Sequence, residues 1–236
     1  MTKAPTQRSP DGFTVATFNQ AMAAHRAGDL SRAETLYRLV LAHDGKQFDA
    51  MHMLGIVAGQ RGDLGEGARL ITEALKIRPN ATDGYVNLGR MQAELKDYAG
   101  ACASYRTALA LNPNLPLAHN NFSIVLRRLG QCDEALLHSD YAIALAPKYP
   151  EAWNNRGNAL FDLGRQVEAL ESYDRALVLK PEHAGIYYNR GVALQHLRRA
   201  QEALQSYDKA VSIKPSLPAA LANRGIALRE IGRAHV

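Results

Sequence analysis

Five prolines, Pro79, Pro113, Pro147, Pro181 and Pro215, stand 34 residues apart with no insertion between them. Other slots keep the same step. Counting back 24 residues from each expected proline gives Gly55, Gly89, Ser123, Gly157, Gly191 and Gly225. Ala101, Ala135, Ala169 and Ala203 fall 12 before it, with Ala33 and Gly67 in the same slot. Ala74, Ala108, Ala142, Ala176 and Ala210 fall five before it, and Tyr37, Tyr105, Tyr173 and Tyr207 fall eight before it. Met51, Tyr85, His119, Trp153, Tyr187 and Leu221 fill a bulky slot 28 before it. A fixed period of this length marks a tandem array of supersecondary units.

The stretch 150–183 shows what one unit is. Trp153, Gly157 and Leu160 are four and three residues apart, which puts them on one face of a first helix. Ala169, Tyr173 and Ala176 form the same stripe on a second, with Leu170 and Leu177 beside it. Gly164 ends the first helix, and Pro181 closes the second because it cannot continue one. Each unit therefore reads as a helix hairpin. Gly157 and Ala169 are small where the helices approach, and Tyr173 fills the space beside them.

These slots resemble the tetratricopeptide repeat (TPR), whose bulky, Gly, Ala, Tyr, Ala and Pro positions they match over about residues 14–236. The resemblance implies an all-α, right-handed superhelical solenoid of helix hairpins, an α/α superhelix. Units fall at 14–47, 48–81, 82–115, 116–149, 150–183 and 184–217, with a partial seventh at 218–236. Residues 1–13 read as a flexible tail. The first unit is degenerate, with Gly45 in the proline slot and Ala21 in the glycine slot, as suits a terminal repeat. A single 34-residue hairpin is too small to fold on its own core, so stacking must supply stability. Leu221, Gly225 and Leu228 keep an inward face although the text stops four residues after Gly232. The partial unit is expected to be truncated, or else residues 218–231 act as the cap.

Composition excludes more than it assigns. No run approaches the roughly 20 apolar residues of a membrane span, and residues 1–13 lack the apolar stretch of a signal peptide. A cytoplasmic chain with no membrane partner is the expectation. The 28 Lys and Arg against 23 Asp and Glu give an excess of five, without the single basic stripe and stacking aromatics of a nucleic-acid binder. Cys102 and Cys132 lack metal or redox spacing and read as buried or half-buried thiols. The histidines are scattered, so no metal site is expected, and no phosphate loop or nucleophile elbow points to catalysis or a cofactor. Oligomeric state is open.

The sixth slot of each unit carries Asn19, Asn87, Asn121, Asn155, Asn189 and Asn223, interrupted by Met53. Asn is a mediocre helix former, so propensity does not explain the row. In TPR arrays this slot lies on the first helix, which faces the groove. An amide both donates and accepts, matching the N–H and C=O of an extended peptide. A peptide-binding ladder and a solvated polar face both fit. Asn120, Asn154, Asn158, Tyr188 and Arg90 flank the row and are candidate contacts. The Lys and Asn carboxylate clamp of TPR co-chaperones is absent, because Phe18, His52, Val86, Asn120, Asn154, Tyr188 and Ala222 stand where its first Lys would be.

Arg156, Arg190 and Arg224 replace the usual leucine before the glycine, and Asp140, Asp174 and Asp208 lie 16 residues before them. The two substitutions occur together, whereas Thr72 and Arg106 precede Leu88 and Phe122. Pairing of each Asp with the Arg of the next unit, fixing the stacking register, is the expected role. An arginine row reaching into the groove is the alternative. Finally, HRAGDLSRAETLYRLVL, DAMHMLGIVAGQRGDL and the asparagine row resemble the N-terminal TPR regions of bacterial relatives of protein O-linked N-acetylglucosamine transferase. That resemblance implies a substrate-recruiting arm for a glycosyltransferase domain that this sequence does not contain. A free-standing, non-catalytic scaffold for a protein or peptide ligand is the first reading.

Overall fold

The computed structural model describes residues 11–234. It divides after Asn112 into two units, each described by itself. The first contains α1 (Gly12–Arg26), α2 (Leu30–His43), α3 (Phe48–Gln60), α4 (Leu64–Ile77), α5 (Thr82–Glu94) and α6 (Tyr98–Leu111). The second contains α7 (Pro116–Arg128), α8 (Cys132–Leu145), α9 (Pro150–Asp162), α10 (Gln166–Leu179), α11 (Ala184–His196), α12 (Ala200–Ile213) and α13 (Pro218–Ala234). Among the described residues every element is a helix, which places the chain in the all-α superhelical repeat class.

Local chemistry sets the helix ends. Asp29, Asp63 and Asp97 cap α2, α4 and α6, each accepting the backbone N–H three residues on at 3.0 Å. Such a cap satisfies an otherwise orphaned donor of the first turn. Within each complete hairpin the turn between helices needs one left-handed residue. Gly28, Gly62, Gly130 and Gly164 supply it, while Lys96 and Arg198 adopt φ of 64° and 60°, at a steric cost of about 1–2 kcal/mol each.

Packing follows the repeat slots. Tyr37, Tyr105, Tyr173 and Tyr207 are fully buried. A methyl group placed on Gly157 or Gly191 would meet the ring of Tyr173 or Tyr207 at 2.5 Å, so only glycine admits the tyrosine there. Where the consensus fails, the volume is supplied from elsewhere. Gly67 replaces alanine and Ile71 replaces tyrosine in α4; the Met91 side chain of α5 then fills the gap, with its Sδ 2.9 Å from a Cβ built on Gly67. In the α7–α8 hairpin Ser123 and Ser139 occupy the glycine and tyrosine slots, and Phe122 is buried instead.

Both termini differ from the sequence expectation. Residues 1–10 of the expected tail lie outside the described residues, but Asp11 caps α1 by accepting from Thr14 N at 2.8 Å, so Gly12 and Phe13 are helical rather than part of a tail. At the other end α13 runs through Gly232 to Ala234. Glycine permits the left-handed turn that ends the other first helices but does not oblige it.

Candidate functional site

The first helices of the hairpins carry the asparagine row. Asn19 is exposed on α1, while Asn87, Asn121, Asn155, Asn189 and Asn223 are half-buried. Most of these amides are already engaged. Asn155 Nδ2 donates to Asn120 Oδ1 at 2.8 Å, and Asn189 Nδ2 donates to Asn154 Oδ1 at 3.0 Å and to Asn158 Oδ1 at 3.1 Å. Asn120 Nδ2 in turn reaches Asn121 Oδ1 at 3.3 Å. In the first unit Asn87 Nδ2 donates to His52 Nε2 at 3.1 Å. The bonds from Asn87 to His52, Asn155 to Asn120 and Asn189 to Asn154 each join slot six of one hairpin to slot five of the hairpin before it. Sequence reasoning named Asn120 and Asn154 as neighbours of the row but did not see slot five as its acceptor. The recurrence of His52, Asn120 and Asn154 in that slot was the available signal.

The amide inventory fixes what remains for a ligand. Asn155 has spent one N–H on Asn120. Asn189 has spent both, which leaves its carbonyl. Asn158 Oδ1 accepts from Asn189 and also from the Tyr173 hydroxyl at 2.9 Å, which leaves its two N–H groups. Burial pushes the Tyr173 and Tyr207 hydroxyls well above the usual phenol range, so both keep their protons near neutral pH. Tyr207 donates to Gln195 and is hydrogen-bonded by Asn223. Arg90 is held by Glu94 of its own helix at 2.8 Å.

Asn158, Asn189 and Tyr188 converge on one cavity of about 270 Å³ in the second unit. Phe161, Tyr188 and Val192 supply apolar wall, and Arg127 and Asp162, paired at 3.0 Å, close one side without net charge. The cavity thus offers amide donors, a carbonyl acceptor and aromatic surface. That set suits a peptide group with an apolar side chain better than a free ion.

The arginines meet the second helices instead. Arg156 Nε and Arg190 Nε donate to Asp140 and Asp174 at 2.7 Å, and Arg224 Nε donates to Asp208. The other arm of Arg156 and Arg190 donates to Ser172 and Ser206 Oγ at 2.7 Å. Each of these two side chains therefore ties the second helix of the preceding hairpin to that of its own. The serines were missed from sequence; they are buried, directly before Tyr173 and Tyr207. Among the described residues no cluster of three or more His, Cys, Asp or Glu is placed to hold a metal. No helix there is long and apolar enough to cross a membrane. Cys102 is buried and Cys132 half-buried, and neither forms a disulfide.

Stacked two-helix hairpins with an amide-lined face of first helices define a helical-repeat protein. Three tetratricopeptide-repeat family models match it, over residues 52–116, 157–197 and 184–217, and the chain is built of tetratricopeptide repeats. No curated protein matches it significantly. Among solved structures it is similar to PilW, a type IV pilus biogenesis factor, with a TM-score of 0.80 at 18% identity over 90% of this chain and 99% of that one. The Cut9 and Hcn1 hetero-tetramer of the APC/C gives 0.77 at 18% identity over 91% of this chain, which spans only 43% of the matched one. YrrB, a TPR protein with an unusual peptide-binding site, gives 0.66 at 22% identity over 80% and 97% of the two chains. At such identities the likeness is one of fold. TPR scaffolds of this kind typically serve protein–protein interaction.

Proposed function

We propose that the chain is a non-catalytic scaffold that holds an extended peptide or protein segment along its first helices. Residues 14–217 form its six repeat units, and Asn121, Asn155, Asn158, Tyr188 and Asn189 form the principal contact surface. The observation that carries this reading is the cavity lined together by Asn158, Asn189, Phe161 and Tyr188. Extended backbone offers the complementary C=O and N–H, and an adjacent apolar side chain fits between the rings. The peptide-binding site named for YrrB and the protein assembly named for Cut9 and Hcn1 lend support by fold.

Energetics favour modest affinity and broad selection. A hydrogen bond contributes roughly 0.5–1.5 kcal/mol net, and ordering a side chain costs about as much. Because Asn155 and Asn189 already bond to neighbouring hairpins, little further ordering is needed when a ligand arrives.

The test is the triple substitution Asn121→Ala, Asn155→Ala and Asn189→Ala, with recovery of partners from lysate compared with the parent chain. Loss of partners at an unchanged melting temperature supports the reading. A lower melting temperature with every partner still recovered would reduce the row to a stacking device. The resemblance of the opening units to bacterial relatives of the O-linked N-acetylglucosamine transferase favours a second reading, a recruiting arm for a glycosyltransferase. Reading the coding sequence past Val236 tests it directly.

A further inference from the structure

In the second unit two cavities on the side of the second helices correspond slot by slot. The first, about 350 Å³, lies between α8 and α10 over α9 and is lined by Asp140, Ile143, Trp153, Arg156 and Ser172, with Glu171 and Arg175 on its α10 side. The second, about 520 Å³, lies between α10 and α12 over α11 and is lined by Asp174, Leu177, Tyr187, Arg190 and Ser206, with Val178 and Gln205 beside them. The first is flanked by the complete α7–α8 and α11–α12 hairpins, so its opening belongs to the stack and not to an end of it.

Each cavity sets an aromatic wall beside a fixed hydrogen-bond donor. Trp153 is held in place by its indole N–H, which donates to Pro147 O at 2.9 Å. Arg156 spends Nε on Asp140 and Nη1 on Ser172, and Arg190 spends the same atoms on Asp174 and Ser206. A guanidinium carries more N–H groups than these two bonds use, so among the described residues Nη2 of each arginine is unspent, and the side chains stay 24% and 25% exposed. The serine hydroxyls are already engaged twice, since they also donate to Glu168 O and Glu202 O at 3.0 Å. The arginines neutralise Asp140 and Asp174. Val178 stands 78% exposed at the second cavity. Leu54 and Leu88 hold the arginine slot in the first unit, which confines the paired donors to the second.

Such a surface satisfies carbonyl acceptors and apolar rings. A polyproline II segment offers that combination: its backbone makes no internal hydrogen bonds, its prolines have no N–H to leave unpaired, and its rings pack into aromatic-lined grooves. Successive hairpins stack about one helix diameter, about 10 Å, apart, and three residues of polyproline II advance about 9 Å, so rings three residues apart reach both cavities. We propose that the outer face of α8, α10 and α12 is a docking groove for a proline-rich segment of a partner protein. One ring lies against Trp153 and Ile143, another against Tyr187 and Val178, and the segment's carbonyls accept from Nη2 of Arg156 and Arg190. The groove is separate from the asparagine row on the first helices and does not depend on that row binding peptide.

Trp153 is the chain's single tryptophan, so its emission reports occupancy of the first cavity directly. The probe is an acetylated, amidated decaproline peptide titrated into the intact 236-residue chain. A saturable change in emission is expected, with none from a Gly-Ser peptide of the same length. Val178→Glu places a charge in the second cavity at an exposed helix position where glutamate is the better helix former; it should weaken binding severalfold with melting temperature unchanged. The Asn155→Ala, Asn189→Ala double variant should bind as the parent does. Absence of saturation up to about 1 mM, an equal response to the Gly-Ser peptide, or unchanged affinity in Val178→Glu overturns the proposal. So does loss of binding in the asparagine double variant at an unchanged melting temperature, since the peptide would then lie on the asparagine row.

Discussion

In the first unit Asn87 gives its amide hydrogen to a ring nitrogen of His52, whereas in the second Asn155 and Asn189 give theirs to Asn120 and Asn154. The same slots make the same bond, yet only the first acceptor can be protonated away. The second helices differ too. In the first unit Asp29, Asp63 and Asp97 cap them; in the second Gln131, Arg165 and Arg199 stand there without a side-chain cap, and Arg165 and Arg199 clasp Glu168 and Glu202 one turn on. A repeat fold therefore fixes where a joint must be, while the side chains that make it are free to change. The difference is one of sensitivity at matched positions: the slot-five acceptor can be protonated in the first unit and not in the second, and the second helices start on aspartate caps in one and on uncapped residues, two of them arginines that clasp a glutamate, in the other.

The largest expected effect tests how each unit fills its core. In the second unit the filler comes from the same hairpin, Tyr173 on Gly157; in the first, Met91 of α5 fills the gap at Gly67 and Gly59 of the hairpin before. Tyr173→Ala should cost about 3–5 kcal/mol and Met91→Ala about 2–5 kcal/mol, measured by urea denaturation of the full chain. If the comparison holds, amide exchange after Met91→Ala rises in both α3–α4 and α5–α6. After Tyr173→Ala the largest rise should lie within α9–α10.

Next come the caps. Asp63→Ala removes the acceptor for Glu66 N and should cost about 1 kcal/mol, while Arg165→Ala removes only a solvent-exposed pair and should cost less than about 0.5 kcal/mol. Equal losses in thermal unfolding would erase the distinction between the units.

The protonation contrast has a definite sign. Burial holds the pKa of His52 below its ordinary value, against the pull of Asp83 and Asp49 and with the push of Arg78. The unfolded chain therefore binds the proton more readily, and this group's contribution is fully present above about pH 6.5 and is lost as pH falls through the lower folded value. His119 in the second unit behaves alike. Its Nε2–H donates to Pro113 O at 2.9 Å, so Nδ1 must accept from His138 Nδ1–H at 2.8 Å, and burial lowers its pKa. His52→Asn installs the second unit's acceptor and should remove only the His52 share of the slope of stability against pH. An unchanged slope between pH 5 and 8 would show that the bond to Asn87 is not coupled to protonation.

Much of this was legible in the sequence because a repeat states each constraint many times. The glycine, alanine and tyrosine slots specify close approach and its filler, and the joint appearance of Asp and Arg 16 residues apart pointed to a contact between hairpins. What stayed hidden depends on direction rather than spacing. An asparagine row read as facing a ligand says nothing about whether its amides turn to the neighbouring slot five. Ser172 and Ser206 look like ordinary helix-surface residues until the arginine arm is placed on them. Gly232 stands in the slot of Gly130 and Gly164, yet α13 runs through it to Ala234, because glycine permits the left-handed turn without obliging it.

The smallest effect decides whether the arginine bridges are joints or decoration. Arg190 binds Asp174, which is about half exposed, through Nε, and the buried Ser206 through its other arm. An exposed pair contributes only about 0–1 kcal/mol, whereas Ser206 Oγ, which itself donates to Glu202 O at 3.0 Å, accepts from the guanidinium a charge-assisted bond of about 1.5–3 kcal/mol. Asp174→Ala should therefore be nearly silent and Arg190→Ala should not. In a double-mutant cycle the Asp174–Arg190 coupling should fall below about 1 kcal/mol, and the Arg190–Ser206 coupling should exceed it. Arg190→Leu restores the residue type found at Leu54 and Leu88 in the first unit; combined with Ser206→Ala it should recover most of the loss. If Arg190→Leu alone is already neutral, the second unit does not need its bridges, and the two units differ in sequence but not in how they are held.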